Sequence, residues 1–218
     1  DFINIPDLLS CDTRSWDGAN IAKAYFDDVV PHLRAMDFDF TKELPIKDKL
    51  REYNIKEVLV IEGDPPQSML YQVYPTISTD IIKKFSEEMP EITVYAGIDQ
   101  YRSSMKEEEY RIRRKQLAGA KGFFTQPFFD MRYLEMYADL LDGLDIYWGV
   151  SPVLSERSVS YWRNKNNVIF PKDFEPTLEW NIEFARKVID FARKHNHNVY
   201  LMPIKAKIMP YLEGVFAK

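Results

Sequence analysis

The chain is poor in cysteine, histidine and glycine. Its one cysteine, Cys11, has no intramolecular partner, so no disulfide framework staples the fold, and a reducing, cytoplasmic setting is expected. Of its three histidines, His195 and His197 lie close together in KHNHN without a third ligand. A solvated turn between helix and strand is the expected reading, and no metal site is expected. The eight glycines form no Gly-x-Gly-x-x-Gly after any strand, no P-loop and no Gly-x-Ser-x-Gly elbow. Those absences remove a Rossmann dinucleotide site, a P-loop nucleotide site and a serine-hydrolase elbow from consideration. No apolar run approaches the length that spans a bilayer, and no signal-peptide pattern opens the chain, so no membrane partner is expected. A net charge of −5 argues against a general nucleic-acid binder.

What is present is a soluble-type composition, 45% hydrophobic and 29% charged, in a length that suits one domain spanning residues 1–218. An apolar strand begins almost at Asp1, which leads to the expectation of a domain incomplete at its N-terminus. Strand and helix patterns then alternate. Phe2–Pro6 reads as a strand, Asp17–Phe26 as a helix and Val29–Met36 as a second strand. Phe40–Tyr53 reads as a helix with Thr41 as its cap, and Lys56–Glu62 (KEVLVIE) is the cleanest β run. After the rigid turn Gly63-Asp64-Pro65-Pro66 comes a helix over Thr79–Glu88, capped by Ser78 or Thr79. Thr93–Ile98, Gly122–Gln126, Asp145–Val150 and Asn198–Pro203 read as strands. Helices are expected over Lys106–Leu117, Met131–Leu141, Ser155–Trp162, Glu175–Lys194 and Lys207–Phe216. Seven strands alternating with helices predict a parallel sheet with right-handed crossovers. Among such folds a (β/α)8 TIM-type barrel with seven of its eight βα units in this chain is favoured over an open doubly wound sheet.

The segment Leu117–Asp130, LAGAKGFFTQPFFD, is the organising stretch. Gly119 suits the residue that closes a helix. Gly122–Thr125 is continuous enough in its apolarity for a strand covered on both faces. Gln126 then stands at the carboxyl end of that strand, where α/β folds place ligand groups, with an amide that donates and accepts at once. Phe128 and Phe129 beside it offer flat apolar walls. Plainer readings stand beside these. Asp64 also suits a turn residue bonding its own backbone, and His32 a core histidine. The charged helix with Glu107–Glu109 and Arg111–Lys115 also suits a salt-bridged, solvated face.

The strand ends VVPHLRAMD, LVIEGDPPQ, AGAKGFFTQPFFD and VSPVLS, with VIFP after the next helix, resemble the methylenetetrahydrofolate reductase family over essentially the whole chain. The resemblance implies a flavin-dependent barrel of one-carbon metabolism. FAD would pass a hydride from NAD(P)H to 5,10-methylenetetrahydrofolate, with a reduced folate as the bound partner. It implies a catalytic, flavin-tuning role for Asp64 and pterin recognition by Gln126 with Phe129 packed against the ring. Flavin contacts would come from His32, Gly63 and Tyr74, and Glu108, Arg114 and Lys115 would hold the dinucleotide phosphates. Lys205 is the nearest cation to the family's last-strand Asn-Arg pair. Glu62 replaces the Arg that precedes the Gly-Asp pair, Pro6 replaces a hydroxyl residue, and YAGIDQY replaces a segment with a Tyr-Pro-Glu run. The family's general acid has no counterpart here. Two alternatives therefore accompany the reductase reading. One is a flavin-independent folate-dependent methyltransferase or demethylase, and the other a non-catalytic folate-binding accessory subunit. A homo-oligomer, or a partner chain supplying the first strand, is the expected assembly.

Overall fold

The computed structural model describes residues 2–66, 68, 71–204 and 206–217. Seven strands and eight α-helices alternate among them: β1 (Phe2–Ile5), α1 (Ser15–Ala22), β2 (Asp28–Arg34), α2 (Lys47–Glu52), β3 (Glu57–Ile61), α3 (Ser78–Glu88), β4 (Thr93–Ile98), α4 (Met105–Ala118), β5 (Gly122–Pro127), α5 (Met131–Leu140), β6 (Ile146–Val150), α6 (Glu156–Lys165), α7 (Leu178–His195), β7 (Asn198–Leu201) and α8 (Ile208–Phe216). Strand order follows chain order. The fold is α/β of the (β/α)8 TIM-barrel class, with seven of the eight βα units in this chain. No helix among the described residues is long and apolar enough to cross a membrane. Contacts group the chain into two compact units. The first runs to Gly97 and includes Arg111–Gly122, and the second comprises Ile98–Tyr110 and the chain from Phe123 onward.

In the first unit, β1 to β4 pair in parallel, with Asn4 opposite Val30, His32 opposite Leu59, Arg34 opposite Ile61 and Leu59 opposite Tyr95. Side chains alternate between faces with a period of two, so this register sorts the sequence into two sets. One face carries Val29, Leu33, Val58, Val60, Val94 and Ala96, all buried beside Ala19 of α1, Leu50 of α2 and Ile81, Ile82 and Phe85 of α3. Each valine, leucine, isoleucine or phenylalanine among them contributes roughly 1.5–3 kcal/mol by leaving water. The other face carries Asn4, Val30, His32, Arg34, Glu57, Leu59, Ile61 and Tyr95. Tyr95 closes on Glu57 through a 3.0 Å hydroxyl hydrogen bond.

The second unit repeats the division. Phe124 stacks on Tyr147 at 4.2 Å between ring centroids and meets Tyr200 edge-on, while Trp148 turns to Phe191 of α7. A register shift between Phe124 and Pro127 sits beside Gly149, whose amide donates to the Thr125 hydroxyl at 2.8 Å.

Helix boundaries depart from the sequence reading for local reasons. The expected helix over Phe40–Tyr53 shrinks to α2, because Pro45 disfavours helix at the residue before it. Thr41 caps nothing and instead bonds the Asp39 carboxylate through both its amide and its hydroxyl. Neither Ser78 nor Thr79 caps α3. Glu62, sixteen residues earlier, accepts the Ser78 amide at 3.1 Å and its hydroxyl at 2.6 Å. At the end of α4, Gly119 has φ +122°, and a Cβ there would lie 2.0 Å from the Ser86 hydroxyl.

A Cβ on Gly149 would lie 2.7 Å from the Thr125 carbonyl oxygen and 3.0 Å from the backbone of Gln126. Gly149→Ala is therefore expected to cost about 1–3 kcal/mol, read as a lowered urea midpoint. An unchanged midpoint would show that the strand pair tolerates the extra atom.

Candidate functional site

The carboxyl ends of β1, β2 and β3 hold a chain of alternating charges. Asp7, just beyond β1, accepts Arg14 through both oxygens, from Nε at 3.0 Å and Nη2 at 2.5 Å. The same Asp7 accepts the Ser15 amide at 3.1 Å, which ties the carboxylate to the N-terminus of α1. Arg14 also reaches Asp37 at 2.7 Å and lies over the Trp16 ring at 4.5 Å. Burial opposes the charge on Arg14, and its bonds and attraction to Asp7 and Asp37 outweigh that effect and raise its pKa. Asp37 in turn accepts Arg34 Nε at 3.3 Å. Arg34 donates through Nη2 to the backbone carbonyl of Asp64 at 2.8 Å and meets the Met36 sulfur at 3.3 Å. Its Nη1 amino group forms no hydrogen bond among the described residues, although the side chain is only 6% exposed. A guanidinium fixed on one edge with its other edge untaken is ready-made for an anionic oxygen.

Two further polar side chains share that face. His32 is 9% exposed, and its Nε2 is buried without a partner. Burial pushes its imidazole down to about 4, against an opposing pull from the Asp7 carboxylate. The side chain is therefore neutral near pH 7. Asn4 Nδ2 is likewise buried and without a partner. Buried polar groups are rarely left unsatisfied, and two on one face of adjoining strands mark a place where the oxygen of a water or a ligand belongs.

The expected site residues distribute unevenly over this frame. Gly63 has φ +89°, and a Cβ there would press on Arg34 at 3.1 Å and Met36 at 3.2 Å, so the glycine leaves room for the arginine. Asp64 is exposed, and its carbonyl rather than its carboxylate holds Arg34. Tyr74 is half-buried, and its amide bonds the Met36 carbonyl at 2.8 Å. Glu62 faces away from the polar set, toward α3, where it serves as a helix cap. In the same unit, Arg114 is exposed and Lys115 donates to the Gly97 carbonyl at 2.7 Å.

The second unit holds the others. Glu108 is buried and accepts the Asp99 amide at 3.2 Å. Phe129 is 1% exposed, enclosed by Trp162, Phe170 and Phe174, so its ring is spent on the core. Gln126 is half-buried, and its backbone is clamped by the Gln100 side chain, which donates to the carbonyl at 2.7 Å and accepts the amide at 3.1 Å. Lys205 lies outside the described residues. His197 accepts the Trp148 indole at 3.1 Å, and no cluster of three metal-ligating side chains occurs among the described residues.

Sequence reasoning passed over Asn4, Arg34, Asp37, Asp7 and Arg14. For Arg34 a signal existed. In DVVPHLR the residues His32 and Arg34 stand two apart, on the same face as Asp28, in a strand otherwise apolar, which marks a face that is not purely apolar.

No family model matches the chain. Among curated proteins, the 5,10-methylenetetrahydrofolate reductase of Buchnera aphidicola subsp. Schizaphis graminum is 22% identical over 147 residues, which cover 65% of this chain and 50% of that protein. The chain thus matches about half the length of that relative. Among solved structures, 2,3-dimethylmalate lyase, a PEP mutase/isocitrate lyase superfamily member, aligns over 97% of this chain and 86% of that one, with a TM-score of 0.51 and 13% identity. Oxaloacetate acetylhydrolase aligns over 92% of this chain and 72% of that one, with a TM-score of 0.50 and 12% identity.

The reductase assignment does not stand. The structural neighbours are lyase and hydrolase barrels, pointing away from that family, and the 22% match is too weak to carry it. The expected hydride transfer through a flavin to a folate falls with it, as do the folate-dependent methyltransferase and folate-binding subunit. The expectation rested on short strand-end motifs, and turn residues such as those of GDPP also serve backbone geometry without any cofactor. The neighbours named here are enzymes, and their fold is shared by this chain.

Two outcomes follow. Glu62→Ala removes two hydrogen bonds from the start of α3 and is expected to cost about 1–2 kcal/mol, seen in chemical denaturation; no loss would show the cap to be redundant. The second concerns His32. An unfolded histidine titrates near 6.5, and the folded one near 4. Between those values the unfolded chain takes up a proton that the folded chain refuses. The contribution is full above about pH 6.5 and falls as pH drops toward 4, by on the order of 3 kcal/mol. Against His32→Leu, wild type should show this extra slope in that window; parallel profiles would mean that His32 is not held neutral.

Proposed function

We propose that the chain is an enzyme of lyase or hydrolase type that cleaves a small carboxylic acid, with the substrate's carboxylate held by Arg34. The observation that carries this reading is the Arg34 guanidinium. It is fixed by Asp37 at 3.3 Å and by the Asp64 carbonyl at 2.8 Å, with Nη1 untaken. Asp37 and Arg14 act as positioning residues, because they hold Arg34 in one orientation and spare a ligand the entropy of ordering it. Balancing Arg14 and Arg34 against Asp7 and Asp37 keeps the site close to neutral before substrate arrives, so an incoming carboxylate meets no excess of negative charge.

The neighbours' names support the substrate class. One is a lyase of 2,3-dimethylmalate and the other an acetylhydrolase of oxaloacetate, both small carboxylic acids. A carboxyl-end location on the strands is where barrels of this class carry their chemistry. The single cysteine, Cys11, supports a cytoplasmic location.

The test is incubation of the purified protein with malate, 2,3-dimethylmalate and oxaloacetate, followed by proton NMR for new carboxylic acids above the buffer control. Arg34→Lys keeps the charge but loses the planar fork, and is expected to lower kcat/KM by about 10-fold to 100-fold, mostly through KM. Turnover of none of the three, together with ligand binding unaffected by the substitution, would overturn the reading.

A further inference from the structure

The polar face of β1 and β2 carries more than Arg34 needs. Asn4 stands opposite Val30, one rung below His32, and His32 is followed two residues later by Arg34. On adjoining parallel strands about 4.8 Å apart, an offset of two residues puts the Cα atoms roughly 8 Å apart, which lets two side chains converge on one atom. Along the strand, His32 and Arg34 are about 6.6 Å apart, which lets a ligand of a few carbons touch both.

We propose that Asn4 and His32 form a second, uncharged pole of this site, which takes the carbonyl or hydroxyl oxygen of a short 2-oxo or 2-hydroxy acid whose carboxylate lies on Arg34. The inference rests on the Arg34 reading and adds the part of the substrate that Arg34 does not recognise. Three observations converge on it. Asn4 Nδ2 and His32 Nε2 are both buried without partners. Both lie on the polar face by register, and neither joins the charge chain through Asp7, Arg14, Asp37 and Arg34. His32 also lacks any side-chain hydrogen bond among the described residues, and its backbone carbonyl accepts the Ser15 hydroxyl.

The chemistry of the pair selects the ligand. A neutral imidazole with a proton on Nε2 and an amide with protons on Nδ2 are both donors, so they suit an acceptor oxygen. Neither carries charge, so they suit a carbonyl or hydroxyl better than a second carboxylate. The same pair would strengthen its bonds as that oxygen gains negative charge, as occurs when a bond beside a carbonyl is cleaved. A neutral histidine in that place polarises the oxygen without surrendering its proton. A plain aliphatic acid would leave both donors orphaned, at a cost that sets the discrimination.

The test compares malate, as separate enantiomers, with succinate, which has the same chain and charges but no hydroxyl. Isothermal titration calorimetry with wild-type protein should give at least one malate enantiomer a Kd tenfold or more below that of succinate. Asn4→Leu and His32→Phe should bring the two acids level, with the hydroxyl no longer discriminated. Long-range 1H–15N NMR of the unsubstituted protein, with only three histidines to assign, should show His32 as the Nε2–H tautomer, shifted by malate and not by succinate. This readout does not depend on either variant folding. Equal affinity for malate and succinate, or a His32 signal indifferent to malate, would overturn the second pole and leave the Arg34 reading intact. Failure of wild type to bind either acid at millimolar concentration would overturn both.

Discussion

Parallel register is the constraint on which the first unit depends. With a side-chain period of two, pairing Asn4 with Val30 and His32 with Leu59 sends Val29, Leu33, Val58 and Val60 to the helices, and sends Asn4, His32 and Arg34 to the opposite face. A slip of one residue would set Arg34 and His32 against the apolar helices and turn Val29 and Leu33 onto the polar face. Placing a charged guanidinium and an imidazole among apolar side chains, away from the groups that hold them, is costly, and that cost makes the register unambiguous. Polar groups on one face are thus positioned by hydrophobic groups on the other, and the core of the unit is also the jig for its site.

The charge chain then fixes what register leaves loose. A long arginine on a strand end has many rotamers, and Arg34 loses them to Asp37, to the Asp64 carbonyl and to the space left by Gly63. The loop after β1 is held to the same frame, because Asp7 caps α1 and grips Arg14, which in turn reaches Asp37. Partly buried ion pairs of this kind add little net stability once desolvation is counted. Their value here is orientation, and the orientation is that of the one guanidinium edge left untaken.

Strands were legible in the sequence because buried parallel strands write themselves as continuous apolar runs, such as EVLVI in β3 and GFFT in β5. Helix starts were less legible where the signal is not local. Glu62 caps α3 from the end of the preceding strand, and no window around Ser78 contains that information. The same residue shows why motif resemblance misled. Glu62 stood out as a charge reversal on an assumed cofactor side, yet one position along a strand changes the face, and Glu62 faces the helix while Gly63 faces Arg34. Phe129 looked like a wall beside Gln126 for a similar reason, although its ring lies in the aromatic cluster with Trp162 and Phe170. Sequence proximity to a strand mouth does not decide which way a side chain turns.

His32 gathers these strands of argument into one residue. A histidine in an apolar strand is ordinarily a core residue with a partner, and burial alone would select a phenylalanine or leucine at lower cost. Here the imidazole is held neutral by burial, has an orphaned nitrogen, and shares its face with an equally orphaned amide and a half-used guanidinium. The two orphaned groups are each a cost to folding, and proteins concentrate such costs where function requires them. Two of them on one face of adjoining strands, beside the Arg34 guanidinium, are more economically explained by a single oxygen-rich ligand than by two independent defects.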